Sequence, residues 1–190
     1  LHSHQYKKAL PFKDKKVLVI GGGNSACDVA VETARISKTP ALSWRRGYYL
    51  RPKVMFGLTS DIFALKARWL PRFLRLSFMR FMLELIQGKN EDIGLPKVTN
   101  HILATHPTVN SDLYNAVRHG KVKPKCDIEK FEGKTVYFQD GSHEEFDAVI
   151  ACTGYKIKHS FFDKDFINFE EGPVNPVSYT HLRAHETYPH

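Results

Sequence analysis

The chain has 190 residues and a mass of 21.8 kDa, with 42% hydrophobic and 25% charged side chains, enough for one substantial core. That composition excludes a collagen-like, disulfide-dense or low-complexity chain, and no apolar run approaches the roughly 20 residues that cross a bilayer. The net charge of +8 is uneven: residues 1–88 carry 16 Lys/Arg against 5 Asp/Glu, residues 89–190 carry 12 against 15. A nucleic acid, an anionic lipid surface or an anionic cofactor would each suit the basic half.

In chain order, the first strong element is the β-branched run 16–20, which enters Gly21-Gly22-Gly23-Asn24-Ser25-Ala26. A helix is expected from Cys27 to about Ser37, with Val29, Ala30, Thr33 and Ala34 on its apolar face. Residues 40–44 read as a second strand ending in Arg45-Arg46-Gly47, which completes a βαβ unit. Residues 60–88 read as an inserted helical segment, with Pro71 dividing it in two and Gly88 stopping it. Residues 89–107 read as loop, and 112–119 as a short helix with Ser111 as its N-cap and Gly120 after its end. Residues 121–150 are expected to form a β-meander, with turns at Glu132-Gly133 and Asp140-Gly141. A last strand, 146–152, runs into Thr153-Gly154-Tyr155.

The glycine loop carries the most chemistry. Gly21 permits a tight turn after the strand, Gly23 lets a pyrophosphate approach the backbone, and Ala26 keeps helix and strand close. The helix N-terminus then offers unpaired N–H groups, including those of Asn24 and Ser25, to the anion. The alternative is a phosphate-free turn in another α/β fold. Where an NAD site places Asp or Glu, at the end of the second strand, this chain has Arg45 and Arg46. Guanidinium groups match a 2′-phosphate, so NADPH is favoured over NADH, unless the pair is merely a solvated strand end.

The basic stretch Lys66, Arg68, Arg72, Arg75 and Arg80 is interleaved with aromatic and aliphatic residues. It reads as a core-covering helix with a solvated face, with membrane-surface contact through 62–86 as the alternative. No zinc spacing or RNA-binding motif accompanies the charge, so nucleic acid is not expected as a partner. His2-x-His4 and His181-x₃-His185 lack further ligands, and no metal is expected. Cys27, Cys126 and Cys152 form no framework and suit a reducing, cytoplasmic setting.

Three segments together resemble flavin-containing monooxygenases, within the class B flavoprotein monooxygenases: 21–28 (Gly-Gly-Gly-Asn-Ser-Ala-Cys-Asp), 106–112 (His-Pro-Thr-Val-Asn-Ser-Asp) and 147–155 (Asp-Ala-Val-Ile-Ala-Cys-Thr-Gly-Tyr). His2 and Tyr6 match the second half of that family's fingerprint. The resemblance implies a Rossmann-like three-layer α/β domain of the two-dinucleotide flavoprotein type, with NADPH and FAD as cofactors. It implies that FAD is reduced by NADPH and, as a C4a-hydroperoxyflavin, oxygenates a soft nitrogen or sulfur nucleophile with O₂, an N,N-dimethylaniline monooxygenase type of activity. Gly21, Gly23, Asn24, Ser25 and Ala26 would hold pyrophosphate, Arg45 and Arg46 the 2′-phosphate, and Thr153 and Gly154 the passage at the domain junction. No acid, base or nucleophile is assigned.

The resemblance further implies that residues 1–14 are the end of an FAD-domain linker, 15–155 the NADPH domain, and 156–174 the returning FAD domain. Residues 175–190 fit neither, read like a translated adapter, and are expected to be non-native. The 190 residues carry no second G-x-G-x-x-G, so the chain alone is expected to be inactive. A Baeyer–Villiger enzyme on the same scaffold and a non-catalytic NADP(H) sensor are the alternatives, whereas a disulfide oxidoreductase is disfavoured by the lack of Cys-x-x-Cys.

Overall fold

The structure is a computed structural model and describes residues 1–66, 70–99 and 108–155. Leu1–Gly154 packs as one compact unit; Tyr155 begins a second, and 156–190 lie outside the described residues.

β1 (Val17–Ile20) is a short run of branched aliphatics, the first three fully buried. It passes through the glycines into α1 (Asn24–Thr33). The helix therefore starts three residues before the expected Cys27, because the Cys27 N–H already donates to the Gly23 carbonyl at 3.1 Å. It also stops short of Ser37: the backbone tightens at Arg35 and Ile36, and the Thr33 hydroxyl donates back to the Val29 carbonyl at 2.7 Å. β2 (Ala41–Ser43) follows, fully buried.

Ahead of the inserted helical segment come three strands that its pattern does not announce. They are β3 (Leu50–Arg51), β4 (Val54–Met55) and β5 (Leu58–Thr59). β4 and β5 pair around Phe56 and Gly57, both at positive φ, the conformation a two-residue hairpin turn requires. α2 (Ser60–Lys66) and α3 (Arg72–Gln87) come next, with Pro71 at the N-cap of α3 and Gly88, at φ 80°, ending it. The expected loop beyond contains a 3₁₀ turn at Asn90–Ile93, and its stretch 100–107 is not among the described residues.

β6 (Thr108–Val109) leads into α4 (Asp112–Arg118). Ser111 does not cap this helix. Its own backbone is already helical, and the Asn110 side-chain oxygen accepts from the Leu113 N–H at 2.8 Å instead. The chain ends in β7 (Lys123–Lys125), β8 (Ile128–Glu132), β9 (Thr135–Phe138), β10 (His143–Glu145) and β11 (Ala148–Ala151).

The main sheet has the order β11-β1-β2-β7, all parallel, with Val19 opposite both Leu42 and Ile150. The expected meander is thus smaller than 121–150: only β8, β9 and β10 form it, and β7 joins the parallel sheet. Pro124 is tolerated there because β7 is an edge strand.

Strand alternation sorts the core into layers. Val17, Val19, Leu42 and Ile150 pack with α1 and α4, whereas Leu18 and Ala41 pack with Val136, Phe138 and Phe146. The result is helices, parallel sheet and meander stacked in that order: an α/β, Rossmann-like, three-layer domain. The insertion holds a separate small cluster around Met55, Met79 and Leu83. Among the described residues no helix is long and apolar enough to cross a membrane.

Candidate dinucleotide-binding site

In a parallel sheet the loops leaving the carboxyl ends of the strands gather on one edge, and ligands bind in the crevice there. Here a cleft of about 510 Å³ is walled by all four ends: Gly21–Gly23 after β1, Ser43 at the end of β2 with Trp44–Arg46 beyond it, Asp127 after β7, and Cys152–Gly154 after β11.

Gly21 sits at φ 132°, and a Cβ there would run into the Cys152 carbonyl, so the turn admits no side chain. Gly23 is different. It is the N-cap of α1 with ordinary dihedrals, and a Cβ on it would meet no atom within 4 Å. It faces open space, which is what a bound pyrophosphate would occupy. No side chain at Gly23 caps α1, and its N-terminus opens beside the cleft. Ala26 is fully buried against Gly21, with its Cβ 3.4 Å from where a Gly21 Cβ would stand.

The Asn24 side chain serves another purpose. Its Oδ1 accepts from the Val109 N–H at 2.8 Å, while the Asn110 amide donates to Asp28 Oδ1 at 2.8 Å. The Val-Asn of the 106–112 motif is thereby pinned to the glycine-loop helix. Asp28 is accordingly engaged by Asn110, and Glu32 faces Tyr6. The unshielded charges at the end of β2 are Arg45 and Arg46, both exposed and neither with a carboxylate partner among the described residues.

Trp44 and Asp127 were not singled out by the sequence. Trp44 is 1% exposed, lies directly over Gly22, and leaves no room for a Cβ at that glycine. Its indole N–H meets no acceptor among the described residues. A tryptophan after a strand reads as core, and only the three-dimensional approach of β2 to the loop reveals it as a cleft wall.

The two fingerprint residues meet the other end of the site. His2 pairs with Ala151 as a parallel bridge beside β11. The His4 N–H donates to His2 Nδ1, which leaves Nε2 as the protonated nitrogen, 3.2 Å from the Gly154 carbonyl. Tyr6 stacks on Phe12 with centroids 5.8 Å apart, and burial, then the Glu32 carboxylate, push its phenol pKa up. Burial likewise pushes Cys27 up to about 12 and Cys152 up to about 11, so neither is a thiolate nucleophile. Thr153 and Gly154, at φ 103°, are exposed at the cleft rim. The His181–His185 pair lies outside the described residues.

Indole-3-pyruvate monooxygenase YUCCA8 of Oryza sativa subsp. indica is 31% identical over 163 residues, 82% of this chain and 39% of the relative. Flavin-containing monooxygenase 5 of Oryctolagus cuniculus is 36% identical over 170 residues, 86% of this chain and 32% of the relative. This chain thus spans between about a third and two fifths of the length of these relatives. Among solved structures, NADP⁺-bound cyclohexanone monooxygenase from Rhodococcus sp. Phi1 shares the fold, with a TM-score of 0.59 at 17% identity over 82% of this chain and 41% of that one. A flavin monooxygenase from Stenotrophomonas maltophilia has a TM-score of 0.52 at 19% identity, over 83% of this chain and 35% of its own. The sequence pattern of one family, described as flavin-binding monooxygenase-like, runs through residues 1–181, and the chain belongs to that family.

Proposed function

We propose that this chain is the NADPH-binding part of a flavin-dependent monooxygenase. The observation that carries the reading is the pair of exposed guanidiniums, Arg45 and Arg46, without a carboxylate partner among the described residues, at the end of β2 beside the glycine-loop helix. In that arrangement the amides of Asn24–Ala26 bind the pyrophosphate, and the open face at Gly23 admits it. Arg45, with Arg46 second, binds the 2′-phosphate. Thr153 and Gly154 line the passage toward β11, and His2 and Tyr6 hold that passage in place. NADPH, when bound, supplies a hydride, and the protein's part here is to bind and orient it.

Within the whole protein, residues 15–155 form the NADPH domain and 1–14 and 156–174 lead from and to the flavin half. The proposed overall reaction uses NADPH, FAD and O₂ to oxygenate a soft nitrogen or sulfur nucleophile. Family membership and the three ordered motifs support it.

Calorimetric titration of the chain tests the binding assignment. Arg45→Ala should weaken NADP⁺ by about 2 kcal/mol, a charge-assisted pair being worth that much, while leaving NAD⁺ affinity unchanged. A variant that keeps the full preference for NADP⁺ over NAD⁺ would overturn the assignment.

A further inference from the structure

The cleft that would receive the dinucleotide contains one carboxylate, Asp127, and an anionic ligand gives that group no obvious reason to be there. Its position in the strand order supplies one. The sheet runs β11-β1-β2-β7, so the pyrophosphate loop lies on β1, the arginine pair on its neighbour β2, and Asp127 just past β7, the next strand out. A dinucleotide with its pyrophosphate over β1 and its adenosine ribose at Arg45 delivers the base beyond that ribose, to the end of β7.

Asp127 is held there firmly. The Ser43 hydroxyl donates to the Cys126 carbonyl at 2.8 Å, tying the end of β2 to the residue before it. The Gln139 N–H donates to the Asp127 carbonyl at 2.9 Å, tying it to the end of β9. One carboxylate oxygen, Oδ1, accepts from the Ile128 N–H at 3.0 Å, and the other has no partner among the described residues. The nearby cation does not neutralise it: Lys125 is paired with Glu144 at 3.0 Å and lies over the Phe138 ring. A carboxylate oxygen with no donor among the described residues, in a site built for phosphates, calls for a neutral donor on the ligand.

We propose that Asp127 reads the base, accepting a hydrogen bond from the 6-amino group of adenine and selecting against 6-oxo purines. The proposal rests on the dinucleotide reading above. Hypoxanthine places an acceptor oxygen where the amino group stood, so two acceptors would face each other, and a site built around one hydrogen bond rejects the analogue that lacks it.

The test is calorimetric titration of the chain with NADP⁺ and with its hypoxanthine counterpart, in the wild type, Asp127→Ala and Asp127→Asn. The wild type should favour adenine by about tenfold, the value of one hydrogen bond to a charged group. Asp127→Ala should bring the ratio close to one by weakening NADP⁺. Asp127→Asn, whose amide can also donate, should reverse the preference, a response that a merely structural role would not give. A base ratio unchanged in both variants would overturn the proposal. So would an equal tightening of both ligands in Asp127→Ala, which would show that the carboxylate only repels phosphate. If NADP⁺ binds with a preference that Arg45→Ala abolishes while Asp127 leaves the base ratio alone, this inference alone falls. If neither dinucleotide binds the wild type, the proposed function falls with it.

Discussion

The parallel sheet and the helical insertion solve the burial problem in opposite ways. In the sheet, Val17, Leu18, Val19, Leu42 and Ile150 are completely buried, covered by α1 and α4 on one face and the meander on the other. In the insertion, α3 turns Met79 and Leu83 inward but leaves Phe73, Phe81 and Leu85 at 69, 60 and 66% exposure. The sheet side is closed by its own sequence and can hold a cleft to fixed dimensions. The insertion side carries far more apolar surface than its small cluster uses, so its contribution to the unit's stability is smaller residue for residue.

The sharpest break of that contrast comes from the sheet. Leu18→Ala should cost about 3 kcal/mol in urea unfolding, since the site between sheet and meander cannot collapse around the lost side chain. A loss below about 1 kcal/mol would mean the layers are less tightly packed than described. Next in size is Asn110→Ala, at the seam between the two regions. It removes the cap of α4 and the bond to Asp28 together, and about 2 kcal/mol should be lost in the same assay.

Alkaline pH offers a subtler probe of the sheet side, because both buried thiols belong to it. Above about pH 9 the unfolded chain releases these protons, while the folded chain holds those of Cys152 to about 11 and of Cys27 to about 12. The native state then binds more protons than the unfolded one, so stability should fall as pH rises through that window. Replacing both cysteines by alanine should flatten that part of the profile, and an unaltered slope would remove the thiols from the account. The smallest effect is expected from Phe81→Ser on the outer face of α3, within about 0.5 kcal/mol, with more soluble protein at high concentration. A large loss there would show that the face is less exposed than the contrast requires.

Much of the sheet side was legible because its signals are local. The run 17–20, the glycines and the small residues of α1 state a strand, a turn and a helix within a few positions, and Gly133 and Gly141 mark the meander at positive φ. What escaped depended on partners far along the chain. β7 is Lys-Pro-Lys, with no apolar pattern, and is a strand only because β2 lies beside it. β3 pairs in parallel with β6 across more than fifty residues, and nothing at Leu50 predicts that. Ser111 looked the better cap because its hydroxyl stands immediately before the helix, but that hydroxyl accepts instead from the Lys53 N–H across the seam. Within the site, the glycines and arginines could be read from spacing, whereas Trp44 and Asp127 acquire their positions only when the strand ends converge.

The pairing of the first residues with β11 has a consequence for how this unit can be handled. The Ala151 N–H donates to the Leu1 carbonyl at 2.8 Å, and His2 Nε2 lies 3.2 Å from the Gly154 carbonyl. The two ends of the unit Leu1–Gly154 therefore leave from one corner of the sheet, zipped side by side. A unit with adjacent ends behaves as a cassette: it can be spliced into a surface loop of a carrier protein, or closed into a ring by a short linker, without pulling a strand from its sheet. The join would adjoin the candidate site, because Gly154 stands on the cleft rim.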